Sequence, residues 1–401
     1  MTATMRDESV TYTPRSGESW RDPWPMYAAL RERDPVHHVV PAHAPEKDYW
    51  VLSRYADVCA AVRDYETFSS AEGLTVEYGE MEMIGLADNA PLVMLDPPKH
   101  TEFRRLVHKG FTPRQMISIE PVVRQFVVER VERLRAEGSG DIVTELLKPL
   151  ASLVVAHYLG VPDEDRNLFG AWTSAIEEGD AARAVDATAE LFGYFTELIE
   201  RRQKDPGEDT VSHLVAAGLG GDGAGIQRIL GFAFTMVVGG NGTIIGMLGG
   251  SATLLTQHLD QRAKLIESPG LIGDAVEELL RLTTPSQGMA RTATRDVEIE
   301  GATIPARRKV LLLYASANRD WRQYGPDAEE LNVLRQPQGI LTFSQGMHHC
   351  IGNAAARMQS RVVLEEMLAR CPNFAVDCDA VEYAEGNYVR RPITVPFIAD
   401  A

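Results

Sequence analysis

The sequence predicts a mainly α-helical fold with small β-sheets, and three observations carry that prediction. From about Pro113 to Lys204 apolar residues return every three or four positions, as in "RQFVVERVERLRAEG" and "AELFGYFTELIERR". That spacing lays one apolar stripe along a helix. The stretch from Ile226 to His258 reads as a single long buried helix. Strand-like runs are confined to the two ends, with "VHHVV" and "DYWVLSR" before residue 60 and further runs beyond Arg291.

Taken in order, a strand-rich part at about 30–60 leads into "YADVCAAVRDYETF", whose apolar residues keep helical spacing. A helical core is expected at about 97–285. The chain then turns strand-rich, becomes helical from Cys350 to Arg370 and ends strand-like. No internal repeat, low-complexity tract or Pro/Ser-rich linker divides it, so one domain over 1–401 is expected.

With 401 residues, 44% hydrophobic and 24% charged, the composition is that of a globular chain rather than a disordered one. A formal charge of -17 repels phosphate and so argues against nucleic acid and against an anionic membrane surface. The N-terminus shows no apolar leader and no window holds eighteen uninterrupted apolar residues, from which a cytoplasmic, membrane-free protein is expected. Cys59, Cys350, Cys371 and Cys378 form no close CxxC pair. Reduced thiols are therefore expected, without a zinc ribbon, redox dithiol or iron–sulfur run.

The segment "GLGGDGAG" contains a literal GxGxxG at Gly218, Gly220 and Gly223. A dinucleotide site needs a preceding strand and an acidic residue about twenty positions on. Helical "VSHLVAAG" precedes it and Thr243 stands near that offset, so a loop between helices is expected.

The long helix carries "GGNGTIIGMLGG", Gly239 to Gly250. Each interior glycine costs about 1 kcal/mol relative to alanine, so something requires the missing side chains. Close packing against another helix is one explanation; a flat cofactor and a small ligand lying on the helix, with Thr243 presenting its hydroxyl, is the other.

In "FSQGMHHCIG", Phe343 to Gly352, one cysteine stands beside two histidines. Contiguous His348, His349 and Cys350 cannot converge on zinc without contorted backbone. A nucleophilic thiol would want a base and an oxyanion hole, which neighbouring histidines alone do not provide. A buried structural cysteine and an iron-bound thiolate remain. Phe343, Gly346, His348, Cys350 and Gly352 fit F-x-x-G-x-H-x-C-x-G just before a helix, where glycines admit a planar ligand and helix-start amides favour an anionic sulfur.

By these residues the chain resembles the cytochrome P-450 superfamily of haem-thiolate monooxygenases, in its soluble actinobacterial branch. "EELLR" matches E-x-x-R at Glu278 and Arg281, one helical turn apart, and "DPPKHTEFRRLV" matches D-P-P-x-H-x-x-x-R at His100 and Arg104. The resemblance implies a P-450 fold with haem between the long central helix and the cysteine loop. It implies non-covalent haem b with Cys350 as axial metal ligand, and His100, Arg104, Arg291 and His348 on the propionates. Gly239, Gly240, Phe343, Gly346 and Gly352 complete the haem contacts, and a structural ion pair of Glu278 and Arg281 is joined by Arg335.

The family's [AG]-G-x-[DE]-T motif aligns with Gly239, Gly240, Asn241, Gly242 and Thr243, so Gly242 stands where an acid relays protons. Asn241, Gly242 and Thr243 are the catalytic candidates. The matching pocket positions are Thr235, Val238, Gln287 and Met289, with Met81, Ile84, Leu92 and Val93 before them. They imply a hydrophobic small-molecule substrate, with Gln287 as an orienting contact, and susceptibility to azole inhibitors. Electrons would come from NAD(P)H through a separate ferredoxin reductase and ferredoxin, drawn by Arg105, Lys109, Arg114 and Arg361. The alternative is a haem-thiolate ligand binder or peroxide-driven oxygenase that tolerates Gly242.

Overall fold

The computed structural model describes residues 10–83, 89–111, 113–178 and 181–400. The helices that bear on the site are α1 (Trp24–Arg33), α2 (Tyr55–Arg63), α3 (Lys99–Val107), α4 (Pro113–Glu137), α5 (Lys148–Leu159), α6 (Arg166–Glu178), α7 (Ala181–Lys204), α8 (Gly223–Gln257), α9 (Ile272–Thr283) and α10 (Asn353–Arg370). The helix expected over "YADVCAAVRDYETF" forms from Tyr55 but ends at Arg63, and Phe68 at its expected end enters a strand instead; the two strands before it and the long central helix form where the residue pattern predicts them.

The largest sheet has five strands: β1 (Val36–Val39), β2 (Tyr49–Leu52), β3 (Phe68–Ser69), β4 (Met289–Ala293) and β5 (Lys309–Leu312), in the order β1-β2-β5-β4-β3. β2 and β5 pair in parallel, Tyr49 opposite Lys309 and Leu52 opposite Leu312. The strand partners thus come from the two ends of the chain. β4 lies inside the sheet, with Arg291 opposite Val310.

Helix α8 starts at an Asp222 cap, whose carboxylate accepts from the Gly225 amide at 2.7 Å. Upstream, Gly218 bends the chain with φ 93° and Gly223 begins the helix, so the GxGxxG belongs to a helix–helix connection. By length and composition α8 would cross a membrane. Here it runs through two apolar cores. Ile229, Phe232, Ala233 and Val237 join one, with Leu92, Phe103 and Leu159. Ile244, Ile245, Met247 and Leu248 join the other, with Val143 of the turn before α5 and Met358 of α10.

The glycines of α8 divide between the two explanations their number raised. A Cβ on Gly240 would stand 2.7 Å from Val155 of α5, one on Gly249 2.8 Å from Pro392 and one on Gly250 2.9 Å from Thr283. Those glycines permit close packing. A Cβ on Gly239 would meet nothing within 4 Å. Between the two cores the helix therefore opens, and Val238 is 48% exposed halfway along it.

Candidate active site

The cysteine loop is held by α2 beneath it and by α10 after it. Gly346 adopts φ 65°, and a Cβ there would press to 3.1 Å on the Val62 carbonyl, so glycine is needed both for the turn and for the approach. The Cys350 amide donates to the Phe343 carbonyl at 2.8 Å, and the Asn353 side-chain amide donates to the Cys350 carbonyl at 2.7 Å. Arg357, one turn further along α10, lies 4.7 Å over the Phe343 ring and pairs with Glu277. A Cβ on Gly352 would lie 3.9 Å from the Cys350 sulfur.

Burial pushes the Cys350 thiol above its ordinary range. The Gly352 and Asn353 amides, Arg104 and Arg357 pull the other way without overcoming it. The helix-start amides thus favour the anion, as expected, but burial opposes them more strongly. Desolvation wins, and only a bound cation would reverse it.

Here α3 brings His100 and Arg104, and β4 brings Arg291, together with His348 of the loop. His100 is 1% exposed, and neither of its ring nitrogens has a hydrogen-bond partner among the described residues. Its ring lies 4.4 Å from that of His348, whose Nε2 is 3.2 Å from the Ser70 hydroxyl. Burial first, then Arg104, drive His100 down to about 4 against the opposing pull of Asp96. Burial, Arg291, His100 and Arg104 take His348 to about 3. Both imidazoles are therefore neutral at pH 7 and serve as donors rather than cations.

The positive charge comes from the two arginines. Arg104 donates to the His349 carbonyl. Arg291 is 3% exposed, donates to the Ala290 carbonyl at 2.7 Å and makes no ion pair among the described residues. A buried guanidinium without an anion is costly, and a buried imidazole without a partner is costly too. The donor set suits a flat ligand with an anionic edge, gripped there while the sulfur reaches its centre. Iron protoporphyrin has both features, so the residues present fit haem.

Below this site Glu278 and Arg281 are fully buried and pair through two contacts at 2.7 and 2.8 Å. Arg335 adds a third at 3.0 Å to the same carboxylate.

The remaining sequence-predicted residues separate. Thr243 donates back to the Gly239 carbonyl at 2.9 Å, and Thr235 to that of Gly231 at 2.7 Å. Gly239, Thr235 and Thr243 share one side of α8, whereas Asn241 is two residues, about 200°, round the helix from Gly239 and Thr243. It is 2% exposed with an unpartnered Oδ1, and so is removed from the face on which it was expected to act. Gln287 is corrected as well: its oxygen accepts from Tyr27 at 3.1 Å and its amide donates to Thr284 at 2.6 Å. Being 1% exposed with both polar groups engaged, it orients nothing that binds. Leu92 is buried in a core, Val93 is half-buried and Met289 packs beside the sheet core. Met81 is buried, and Ile84 lies outside the described residues.

Several supporting side chains escaped the sequence reading. Ser70 meets His348, and Asp96 accepts from the Ser70 amide at 3.0 Å, tying the start of "DPPKH" to the haem-side loop. Asn353 and Arg357 follow Cys350 at three and seven positions, a spacing that puts them near one helix face. That spacing was the available signal.

Fold and donor set together define a haem-thiolate protein. The chain belongs to the cytochrome P450 family and is a P450 monooxygenase. The Cytochrome P450 family model matches residues 263–381. "Cytochrome P450 130" of Mycobacterium tuberculosis is 62% identical, over 99% of each chain. "Vitamin D(3) 25-hydroxylase" of Pseudonocardia autotrophica is 34% identical over 95% of this chain and 94% of its own. The solved structure of cytochrome P450 CYP109Q5 from Chondromyces apiculatus matches with a TM-score of 0.84 at 32% identity, covering 96% of this chain and 97% of that one.

Proposed function

We propose that this monooxygenase acts on an apolar small molecule, with haem ligated by Cys350 and electrons drawn from NAD(P)H through a separate reductase and ferredoxin. The observation that carries the reading is the buried, anion-free guanidinium of Arg291 beside the unpartnered ring of His100. Arg104 and Arg291 supply charge to the two propionates, and His100 and His348 supply N–H donors. Cys350 loses its proton on metal binding, because the cation offsets the desolvation that otherwise holds the proton in place. Haem bound there supplies the activation of dioxygen.

Of the positions that match the family's pocket, Val238, Val93 and Met289 are exposed or half-buried and apolar, which supports an apolar substrate. An azole would compete there. That a relative of 34% identity is called a vitamin D(3) hydroxylase supports an apolar substrate.

Thr243 presents a hydroxyl on this face of α8; rotation away from the Gly239 carbonyl frees its proton for a bound water. Gly242 offers no carboxylate, so protons reach Thr243 through water. A carboxylate at this position should raise product formed per reductant consumed. The test is reconstituted turnover of Gly242→Asp and the wild type with ferredoxin and reductase, scored for product and peroxide. An unchanged ratio would rule out the water route as the limiting one. Turnover supported by peroxide but never by ferredoxin would favour the peroxide-driven alternative, for which the missing acid is the motive.

The ferredoxin surface is narrower than expected. Arg361 is paired with Glu120 and Glu365, and Arg114 with Glu208. Arg105 and Lys109, both exposed, make no ion pair among the described residues and remain as the attracting pair.

A further inference from the structure

Arg357 stands where three tethers of the cysteine loop meet. Its Nε and Nη2 donate to the Glu277 carboxylate of α9, the latter at 2.9 Å, and its Nη1 donates to the side-chain oxygen of Asn353, one helical turn back, at 2.8 Å. The guanidinium carbon meanwhile lies 4.7 Å over the Phe343 ring. One side chain thus holds a carboxylate, an amide and an aromatic face, a set that a planar fork of N–H donors can engage at once.

Two of those partners lead directly to Cys350. The Phe343 carbonyl accepts from the Cys350 amide at 2.8 Å, and the Asn353 side-chain amide donates to the Cys350 carbonyl at 2.7 Å. Asn353 also turns its backbone amide on the sulfur, beside that of Gly352. Both backbone polar groups of the cysteine, and one of the two amides that meet its sulfur, therefore engage residues that Arg357 holds. Glu277 is the fixed end of this chain of contacts, because the next residue of α9, Glu278, is fully buried in its pair with Arg281. The Arg357 and Glu277 side chains are themselves 35% and 27% exposed, a setting in which an ion pair adds little to fold stability.

We propose that Arg357 is a positioning residue for the axial sulfur: anchored by Glu277, it holds Asn353 and Phe343 so that the Asn353 amide stays aimed at Cys350. A hydrogen bond to a thiolate takes up part of its negative charge, and contacts of this kind tune what a ligand donates to its metal. Loosening the Asn353 amide leaves more charge on the sulfur and favours ferric over ferrous iron. This role deepens the haem-thiolate reading and rests on it.

The test is the reduction potential of the holoprotein, measured by spectroelectrochemistry without substrate or redox partner. Arg357→Gln should shift the ferric–ferrous equilibrium at least threefold toward ferric, a potential lower by about 28 mV at 59 mV per tenfold for one electron. Glu277→Gln should shift it in the same direction, because Arg357 loses its anchor and Asn353 its hold. A purely electrostatic role gives Glu277→Gln the opposite sign, since removing an anion favours the reduced state, and it lets Arg357→Lys restore the wild-type potential. Asn353→Ala should also lower the potential, and combining it with Arg357→Gln should add nothing to the shift of Arg357→Gln alone. Urea unfolding of the same variants reads fold stability separately; a role in stability alone would lower the midpoint and leave the potential in place. An unchanged potential in Arg357→Gln, a rise in Glu277→Gln, full rescue by Arg357→Lys or additive shifts with Asn353→Ala would each overturn the inference and leave the haem site standing. Should Arg357→Gln fail to retain haem, the potentials of Glu277→Gln and Asn353→Ala decide by the same criteria, a fall in both supporting the role and any other result overturning it. A wild-type reduced carbon monoxide complex without a thiolate-type spectrum would instead strike the reading of Cys350, and the inference would fall with it.

Discussion

Two buried clusters of charge, one at Glu278 and one at Arg291, are built on opposite principles. Around Glu278 every strong group is answered. Arg281 divides its donors between that carboxylate and the carbonyls of Asn318 and Ala328, both at 2.7 Å. Arg335 reaches Glu278, Asp327 and the Tyr324 carbonyl, and the Asn332 amide takes up the same carboxylate at 3.2 Å. Around Arg291 the reverse holds: among the described residues the guanidinium has no anion and the buried imidazole of His100 no hydrogen-bond partner. Native interiors satisfy their polar groups, so a cluster that does not is completed by something other than the chain. The first cluster is architecture; the second is where we propose that the haem propionates are held.

The sharpest way to break this contrast is at the sulfur. Cys350→Ser should abolish the thiolate-type spectrum of the reduced carbon monoxide complex and reduce product formation to background. A thiolate spectrum surviving that change would mean another cysteine is the ligand.

The next largest effect belongs to the satisfied cluster. Glu278→Gln leaves Arg281 and Arg335 buried beside a neutral group, which should destabilise the fold by about 3–5 kcal/mol. Urea unfolding reads this directly; a loss under about 1 kcal/mol would show that the cluster is not the buttress its geometry describes.

His100→Leu sharpens the comparison because its two consequences differ in sign. Removing a buried, unpartnered imidazole should stabilise the apoprotein by about 1–3 kcal/mol, while haem dissociates faster from the holoprotein. Destabilised apoprotein with unchanged haem release would move His100 into the architectural class.

The smallest effect is expected at the surface. Reversing Arg105 and Lys109 to glutamate should slow reduction by ferredoxin severalfold and flatten its salt dependence, with substrate affinity unchanged. Wild-type rates at every ionic strength would remove these residues from the docking surface.

Sequence periodicity was sufficient for α8, α10 and the two early strands, because an amphipathic or wholly apolar run admits few other solutions. The cysteine motif was legible because Gly346 and Gly352 stand at fixed offsets from Cys350, where their backbone is needed. Gln287 and Asn241 were misread because position in a motif says nothing about where a polar side chain finds its partners. Gln287 found them in Tyr27 and Thr284, the former 260 residues away in the chain.

The sequence by itself determined a mainly helical chain, a haem-thiolate motif and the missing acid at Gly242, since each depends on residue identity at short spacing. Tertiary structure alone decided which glycines of α8 serve packing and which open space, that burial drives both site histidines toward the neutral form, and that burial pushes the Cys350 thiol above its ordinary range. Those properties come from desolvation and from partners distant in the chain, and neither is written in local order.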